Sequence, residues 1–464
     1  MRRVLWLSPY FPPQTRVGAL RPLKFVRHLS ALGWESVVLC DLRPEDAVQA
    51  QLAAMIPDDV HVIRNWSRVA QATERAHLRA GDAVFRQSPA ARPGERAAGS
   101  VAADHAAAAH AAGAASPGSR ASAAKGAANV WAAIGAKLVR GLNPEWLPLG
   151  EHLSRMPYAM GAARRALQAF PSSAIVVNAD PFAAALVGAQ LAAEARLPLI
   201  VDLRDPWALC ELRRPMRPLL QRALVDRMER RVVEQAATVI LNTEVTLDDY
   251  RRHYRDLPAT RFQCIRNHGD AELVAAGSHP GFDRFTLLFL GNFGRFIKAD
   301  VLIRVLAELR ARGVGPDKVQ LVVTGAIPAE SLQMARGMDT DAYLRPHDHV
   351  PYPQIGAIMA AADLLVLLVQ PRGQQRIAAK FFDYLTAERP VLAISESQEL
   401  ASLISASGAG TIHRYADVPG IADAIEAAIA AGRHQVRPRS PIGATSAEAA
   451  QALAALLERA VGGG

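Results

Sequence analysis

Lys380 and Asp383 stand three positions apart in the run RIAAKFFDYLTAERPVLAI at 376–394. Residues three apart on a helix share a face, so this spacing offers a cation and a carboxylate on one side while Phe381, Phe382 and Leu385 pack. Pro390 imposes extended geometry, and Val391 to Ile394 reads as a short strand buried in a parallel sheet. A charged pair at a helix start beside such a sheet is where open α/β folds hold ligands. Lys380 then either meets phosphate or is spent in an ion pair with Asp383.

A second constellation suits an anion. Gly291-Asn292-Phe293-Gly294-Arg295-Phe296-Ile297-Lys298 follows an apolar run at 286–290 and precedes a helix from Ala299. Glycine-loop N–H groups and a helix N-terminus attract phosphate, and Arg295 and Lys298 add full charges. The competing reading is two solvated loop cations. In the first half, Gly18, Asp180, Asp202, Arg204 and Asp205 follow apolar runs, where strand ends open into a cleft. Asp202 and Arg204 either pair to fix the Pro206-Trp207 turn or meet substrate; Asp205 is the better candidate to orient a hydroxyl.

The elements that must position these residues alternate between strand and helix, which predicts parallel sheets with crossover helices. Strands are expected near 3–8, 35–40, 60–63, 174–178, 198–202, 238–241 and 262–265, then near 286–290, 319–324, 345–350, 364–369, 390–394 and 410–412. Helices fall between them near 18–32, 155–168, 181–194, 214–234 and 244–254, then near 299–312, 353–361, 377–388, 397–406 and 418–431, with a tail helix over 445–461. Residues 86–128 are low-complexity Ala, Gly, Ser, Pro and Arg and carry no apolar face. The apolar segment Val130 to Leu149, with Trp131 and Trp146, either lines the mouth of a cleft or docks back on the sheet.

At 464 residues the chain is too long for one core. Its net charge of +9 reflects either an arginine-rich proteome or attraction to nucleotide phosphates or anionic lipid. The basic residues do not interleave with aromatics at stacking intervals, which argues against nucleic acid. Cys40, Cys210 and Cys264 lie far apart without zinc spacing and read as buried thiols in a reducing cytosol. The N-terminal apolar run stops at Pro9, so it reads as a first strand rather than a signal peptide, and no stretch is long enough to span a bilayer.

Four stretches in order resemble family 4 glycosyltransferases, the retaining nucleotide-sugar enzymes of the GT-B fold: Val4 to Pro13 and on to Gly18, Ile200 to Trp207, Phe289 to Lys298, and KFFDYLTAERPVLAI. The resemblance implies an α/β chain with two Rossmann-like doubly wound domains (GT-B) facing across a cleft. An acceptor-side domain would span 1–270, including the insert, with a hinge at Asn267-His268-Gly269-Asp270. A donor-binding domain would span 271–440, and a helix in 441–464 would cross back to the first domain.

It further implies a metal-independent transfer of a hexose-type sugar, from a nucleoside diphosphate sugar as co-substrate, to a hydroxyl of a polysaccharide, lipid-linked or metabolite acceptor. Asp205, Arg295 and Lys298 would be catalytic. Gly18, Gly291, Gly294, Arg295, Lys298 and Lys380 would bind the donor, with Arg345 and His347 at the base, Asp383 at the ribose and Gln375 at the sugar. Asp180 and Arg204 would meet the acceptor. No cofactor and no nucleic acid is expected, and the setting would be cytoplasmic, with peripheral contact on an anionic membrane left open. Two departures stand out: Asp383 and Gln375 occupy positions where the family carries Glu. They keep open a nucleotide-sugar epimerase of the same fold and a non-catalytic nucleotide-sugar-binding subunit.

Overall fold

The computed structural model describes residues 2–41, 50–65, 156–274, 278–294, 297–371 and 373–463. The segment 86–128, the stretch Val130 to Leu149 and Arg295 lie outside the described residues. Among the rest, β1 (Arg2–Leu7), β2 (Trp34–Asp41), β3 (His61–Asn65), β4 (Ala174–Asn178), β5 (Leu199–Leu203), β6 (Thr238–Leu241) and β7 (Phe262–Cys264) form one sheet in the order β3-β2-β1-β4-β5-β6-β7. A second sheet contains β8 (Phe285–Leu290), β9 (Val319–Thr324), β10 (Leu344–His347), β11 (Leu364–Leu368), β12 (Val391–Ile394) and β13 (Gly410–His413), in the order β10-β9-β8-β11-β12-β13. Neighbours pair in parallel throughout, as in Val4↔Ser36 and Leu287↔Leu321.

Side-chain alternation explains why nearly continuous apolar runs form these strands. In β1, Leu5 and Leu7 enter one core cluster while Val4 and Trp6 enter the cluster on the opposite face. In β8, Leu287 and Phe289 divide from Leu288 and Leu290 in the same way. Each sheet reverses its winding once, between β1 and β4 and between β8 and β11, so each has a switch point of the kind that accepts ligands.

The helix Ser446–Gly462 starts in a capping box between Thr445 and Glu448. Its Ala449, Leu453 and Leu457 join Trp6 and Phe25 in the first sheet's core, so the chain's end packs on the first domain. A helix at Ala329–Gly337 was not anticipated; only Ala335 on it is buried, too little for a visible apolar period. The helix expected over 214–234 begins at Leu219, because Pro215 and Pro218 hold the preceding residues in a short 3-10 turn. Cys40 and Cys210 are buried, Cys264 is half-buried, and burial pushes the Cys40 thiol up to about 12.

Candidate functional site

Lys380 sits in the first turn of the helix Ala379–Thr386, at the second sheet's switch point. Its ammonium donates to the Leu290 carbonyl that ends β8 and lies 4.5 Å from the centroid of the Phe289 ring. Desolvation is the cause that pushes the Lys380 pKa down to about 8. Gly291 takes φ +128°, and a Cβ there would lie 2.8 Å from the Lys380 ammonium. Any other residue at 291 would therefore strain the backbone and displace the cation.

The loop after Gly291 is pinned to the end of β9. Asn292 accepts from the Ala326 N–H at 2.8 Å, and the Phe293 N–H donates to the Ala326 carbonyl at 2.9 Å. Gly294 departs from expectation: its N–H is spent on the Ile297 carbonyl at 2.8 Å, so it supplies a turn and not a free donor. Lys298 is exposed and has no ion pair among the described residues. It immediately precedes the helix Asp300–Ala311, whose N-terminus no side chain caps.

In the first domain, Gly18, Asp180, Arg204 and Asp205 converge. A Cβ on Gly18 would lie 2.6 Å from Asp180 Oδ2, so the first turn of the helix Val17–Leu29 can approach this carboxylate only as glycine. Arg204 bridges Asp180 at 3.1 Å and Asp205 at 3.4 Å. Arg376, reaching over from the second domain, approaches Asp205 at 3.4 Å and Cys210 Sγ at 3.7 Å. Burial works to raise the Asp205 pKa, but Arg204, Arg376 and Arg213 outweigh it and hold the carboxyl below its ordinary value. Asp205 is therefore ionised at neutral pH and can accept from a hydroxyl. Asp202 does not pair with Arg204. It forms a buried bidentate contact with Arg21, with Nε to Oδ2 and Nη2 to Oδ1 both at 2.8 Å, and so belongs to the framework.

Two of the expected donor residues make contacts between domains. Asp383 does not share an ion pair with Lys380. Its Oδ1 is held by Lys24 at 2.9 Å and by the Tyr352 hydroxyl at 2.9 Å, and Lys24 also donates to the His268 carbonyl at 2.7 Å. The carboxylate thus ties the second domain to the hinge. Gln375 is likewise occupied: its Oε1 accepts from the Glu211 N–H at 2.9 Å, and its Nε2 donates to the Leu209 carbonyl at 3.1 Å and to Asp249 at 2.8 Å. The amide clasps the two domains.

Arg345 and His347 stand apart from the other candidates, on β10 at the sheet's edge. Arg345 folds back on the Ala342 and Leu344 carbonyls at 2.9 and 3.0 Å, and His347 is exposed with Nδ1 donating to the Asp348 carbonyl at 2.8 Å. Arg376 is the functional candidate that sequence reasoning passed over. It stands beside Gln375 in the same diagnostic run, which was the available signal. Lys24 carried none, since its partner lies 359 positions away. Among the described residues no group of three or more His, Cys, Asp or Glu side chains is placed to hold a metal ion.

Two parallel switched sheets with their C-terminal edges facing across one seam define the GT-B fold, and comparison with known proteins agrees. Residues 94–268 match a family model described as Glycosyl transferase 4-like domain. The chain is similar to sucrose-phosphate synthase from Thermosynechococcus elongatus, with TM-score 0.57 and 13% identity over 99% of this chain and 96% of that one. It is also similar to Anabaena HepE in complex with UDP and glucose, with TM-score 0.54 and 14% identity over 98% of this chain and 95% of that one. A third likeness is to WaaG, a glycosyltransferase involved in lipopolysaccharide biosynthesis, with TM-score 0.50 and 15% identity over 99% of this chain and 98% of that one. No curated protein matches the chain in sequence. The chain has the GT-B fold, and its residues 94–268 are similar to a glycosyl transferase 4-like domain.

Proposed function

We propose that this protein is a retaining glycosyltransferase that moves a sugar from a nucleoside diphosphate to an acceptor hydroxyl without a metal. The observation that carries this reading is the Lys380 ammonium beside Gly291 at the second sheet's switch point, with the ionised Asp205 across the seam. Similar structures are bound to UDP and glucose and to UDP-2-fluoro glucose, which supports a nucleotide-sugar donor of hexose type.

In this reading Lys380 and Lys298 meet the diphosphate, joined by Arg295 on sequence grounds. As the anomeric C–O bond breaks, charge develops on the phosphate oxygens, and fixed cations in a closed site stabilise it. Asp205 accepts a hydrogen bond from the attacking hydroxyl, whose oxygen forms the new bond on the face the diphosphate leaves. The hydroxyl proton passes to the departing phosphate oxygen, so the carboxylate orients and is not consumed. Arg204 and Asp180 set the acceptor side, and Gly18 lets the first turn of its helix approach.

A second reading is a nucleotide-sugar-binding subunit without turnover, favoured by the engagement of Gln375 and Asp383 in domain contacts. Incubation with nucleoside diphosphate sugars and a panel of hydroxyl acceptors separates the readings. Acceptor-dependent release of nucleoside diphosphate with a glycosylated product supports the transferase. Saturable donor binding without release supports the subunit, and conversion of donor alone indicates an epimerase.

A further inference from the structure

The helix Leu219–Gln235 begins with two adjacent leucines that pack on nothing: Leu219 is 82% exposed and Leu220 84%. Met216 before them and Leu224 after them are 49% and 46% exposed. Among the described residues, the other exposed large hydrophobics are only Tyr158 and Val436, so this is a concentration and not the usual scatter.

The same helix face continues in cations. Positions 220, 224, 227 and 231 recur at helical spacing, which places Leu220, Leu224, Arg227 and Arg231 in one row. Arg227 and Arg231 are exposed and have no ion pair among the described residues, and exposed Arg213 precedes the patch. Nearby acids do not offset them. Asp226 is taken by Arg214 at 2.5 Å, Glu234 by Arg230 at 2.8 Å, and Glu229 is buried against the Tyr250 and Tyr254 hydroxyls at 2.7 Å. An apolar trough of about 500 Å³, with Met156, Met160, Leu186 and Met228 in its lining, opens under Arg227 and Arg231.

We propose that this surface docks on an anionic lipid bilayer, with the leucines entering the interface and the arginines meeting headgroup phosphate. Among the described residues no helix is long and apolar enough to cross a membrane, so the contact is peripheral and in the plane of the interface. Two arguments select lipid. A twofold contact with a second copy would bring arginine rows of the same sign together, and nucleic acid would call for aromatic stacking partners where this patch has leucines.

The patch is also built onto the acceptor side of the site. Arg217 donates to the Trp207 carbonyl at 2.9 Å, Arg214 to the Ala208 carbonyl at 3.0 Å, and Arg222 to the Arg217 carbonyl at 2.8 Å. The turn they brace carries Arg204 and Asp205. Docking therefore holds the acceptor end of the seam near the bilayer, which deepens the transferase reading, and rests on it, by naming a lipid-linked hydroxyl as the acceptor class.

The test is co-sedimentation of the full chain with phosphatidylcholine vesicles, with and without phosphatidylglycerol, at low and high salt. Binding is expected only with phosphatidylglycerol and should fade at high salt. The double variants Leu219→Ser/Leu220→Ser and Arg227→Glu/Arg231→Glu should each lower the partition coefficient about tenfold or more, with unchanged melting points because the side chains are exposed. Lys318→Glu, just before β9 in the second sheet, should not. Absence of binding at low salt, binding indifferent to both double variants, or an equal loss in Lys318→Glu overturns the proposal. Dimerisation abolished by the leucine variant, without vesicle binding, replaces it with self-association. Nucleotide binding measured without vesicles is independent, so failure here is distinguishable from failure of the transferase reading.

Discussion

In the proposed reading Lys380 meets the diphosphate, and its buried environment sets when it is charged. A lysine whose folded pKa is pushed to about 8 from 10.5 is charged at neutral pH but loses that charge on mild alkalinisation. Nucleoside diphosphate affinity should therefore fall as pH rises through about 8. Lys380→Arg should remove that step and Lys380→Met should abolish most of the affinity, as titration calorimetry at several pH values can read. The linkage to stability has the opposite sign. Between about 8 and 10.5 the unfolded chain binds more protons than the folded one, so burying Lys380 costs less as the pH rises.

Lys298→Ala should lower kcat/KM about a hundredfold, on the order of 2–4 kcal/mol of transition-state stabilisation, with the melting point unchanged. Lys318→Ala, exposed at the start of β9, is the control and should do little. At this scale the sequence was legible where neighbours in the chain are neighbours in space. Gly291 and Lys298 follow their strand as expected. The partner of Asp383 was not legible, because Lys24 is remote in sequence and nothing local reveals a cation from the first domain beside it.

Among elements, the hinge is tied down by a buried ion pair. Lys24 and Asp383 are both nearly inaccessible, with side chains 5% and 9% exposed. Lys24→Met alone should destabilise the protein by about 3–5 kcal/mol by stranding the carboxylate, while Lys24→Met with Asp383→Leu should recover much of it. Chemical denaturation of the four proteins in the cycle measures the difference.

His268, buried in the same hinge, adds a pH signature. Its Nδ1 donates to the Arg266 carbonyl at 3.1 Å, its ring meets Phe25 edge-on at 4.8 Å, and desolvation, with Arg21 and Lys24 nearby, holds its pKa well below 6.5. Below about pH 6.5 the unfolded imidazole takes a proton that the folded one refuses, so stability should fall as pH falls from there. His268→Asn, which can keep the donor to Arg266, should flatten that slope in denaturation midpoints taken between about pH 7.5 and 5.5. The strands were legible because runs such as Val4 to Leu7 and Leu364 to Leu368 are apolar on both faces. β10 was harder: Pro346 shortens it and confines it to the sheet's edge.

For the whole molecule, length and alternation announced two domains, and the four ordered motifs announced which fold. The seam between the domains was not readable. Gln375 on Glu211, Arg376 on Asp205, and Arg266 on Glu399 at 3.0 Å are contacts between segments more than a hundred positions apart, and each depends on both domains having folded. Those contacts engage Gln375 and Asp383, and the proposed reading rests instead on Lys380, Lys298 and Asp205. The most direct test is a thermal-shift titration of the full chain with a panel of nucleoside diphosphates and their sugars, repeated on Lys380→Met, Lys298→Ala and Lys318→Ala. At about a hundred times Kd a ligand selective for the folded state adds roughly 2.7 kcal/mol, which should raise the melting point by several degrees. The predicted result is that rise in the wild type and in Lys318→Ala, with most of it lost in the other two. No rise with any diphosphate, or a rise that survives both Lys380→Met and Lys298→Ala, would contradict the assignment of the donor site to the second domain's switch point.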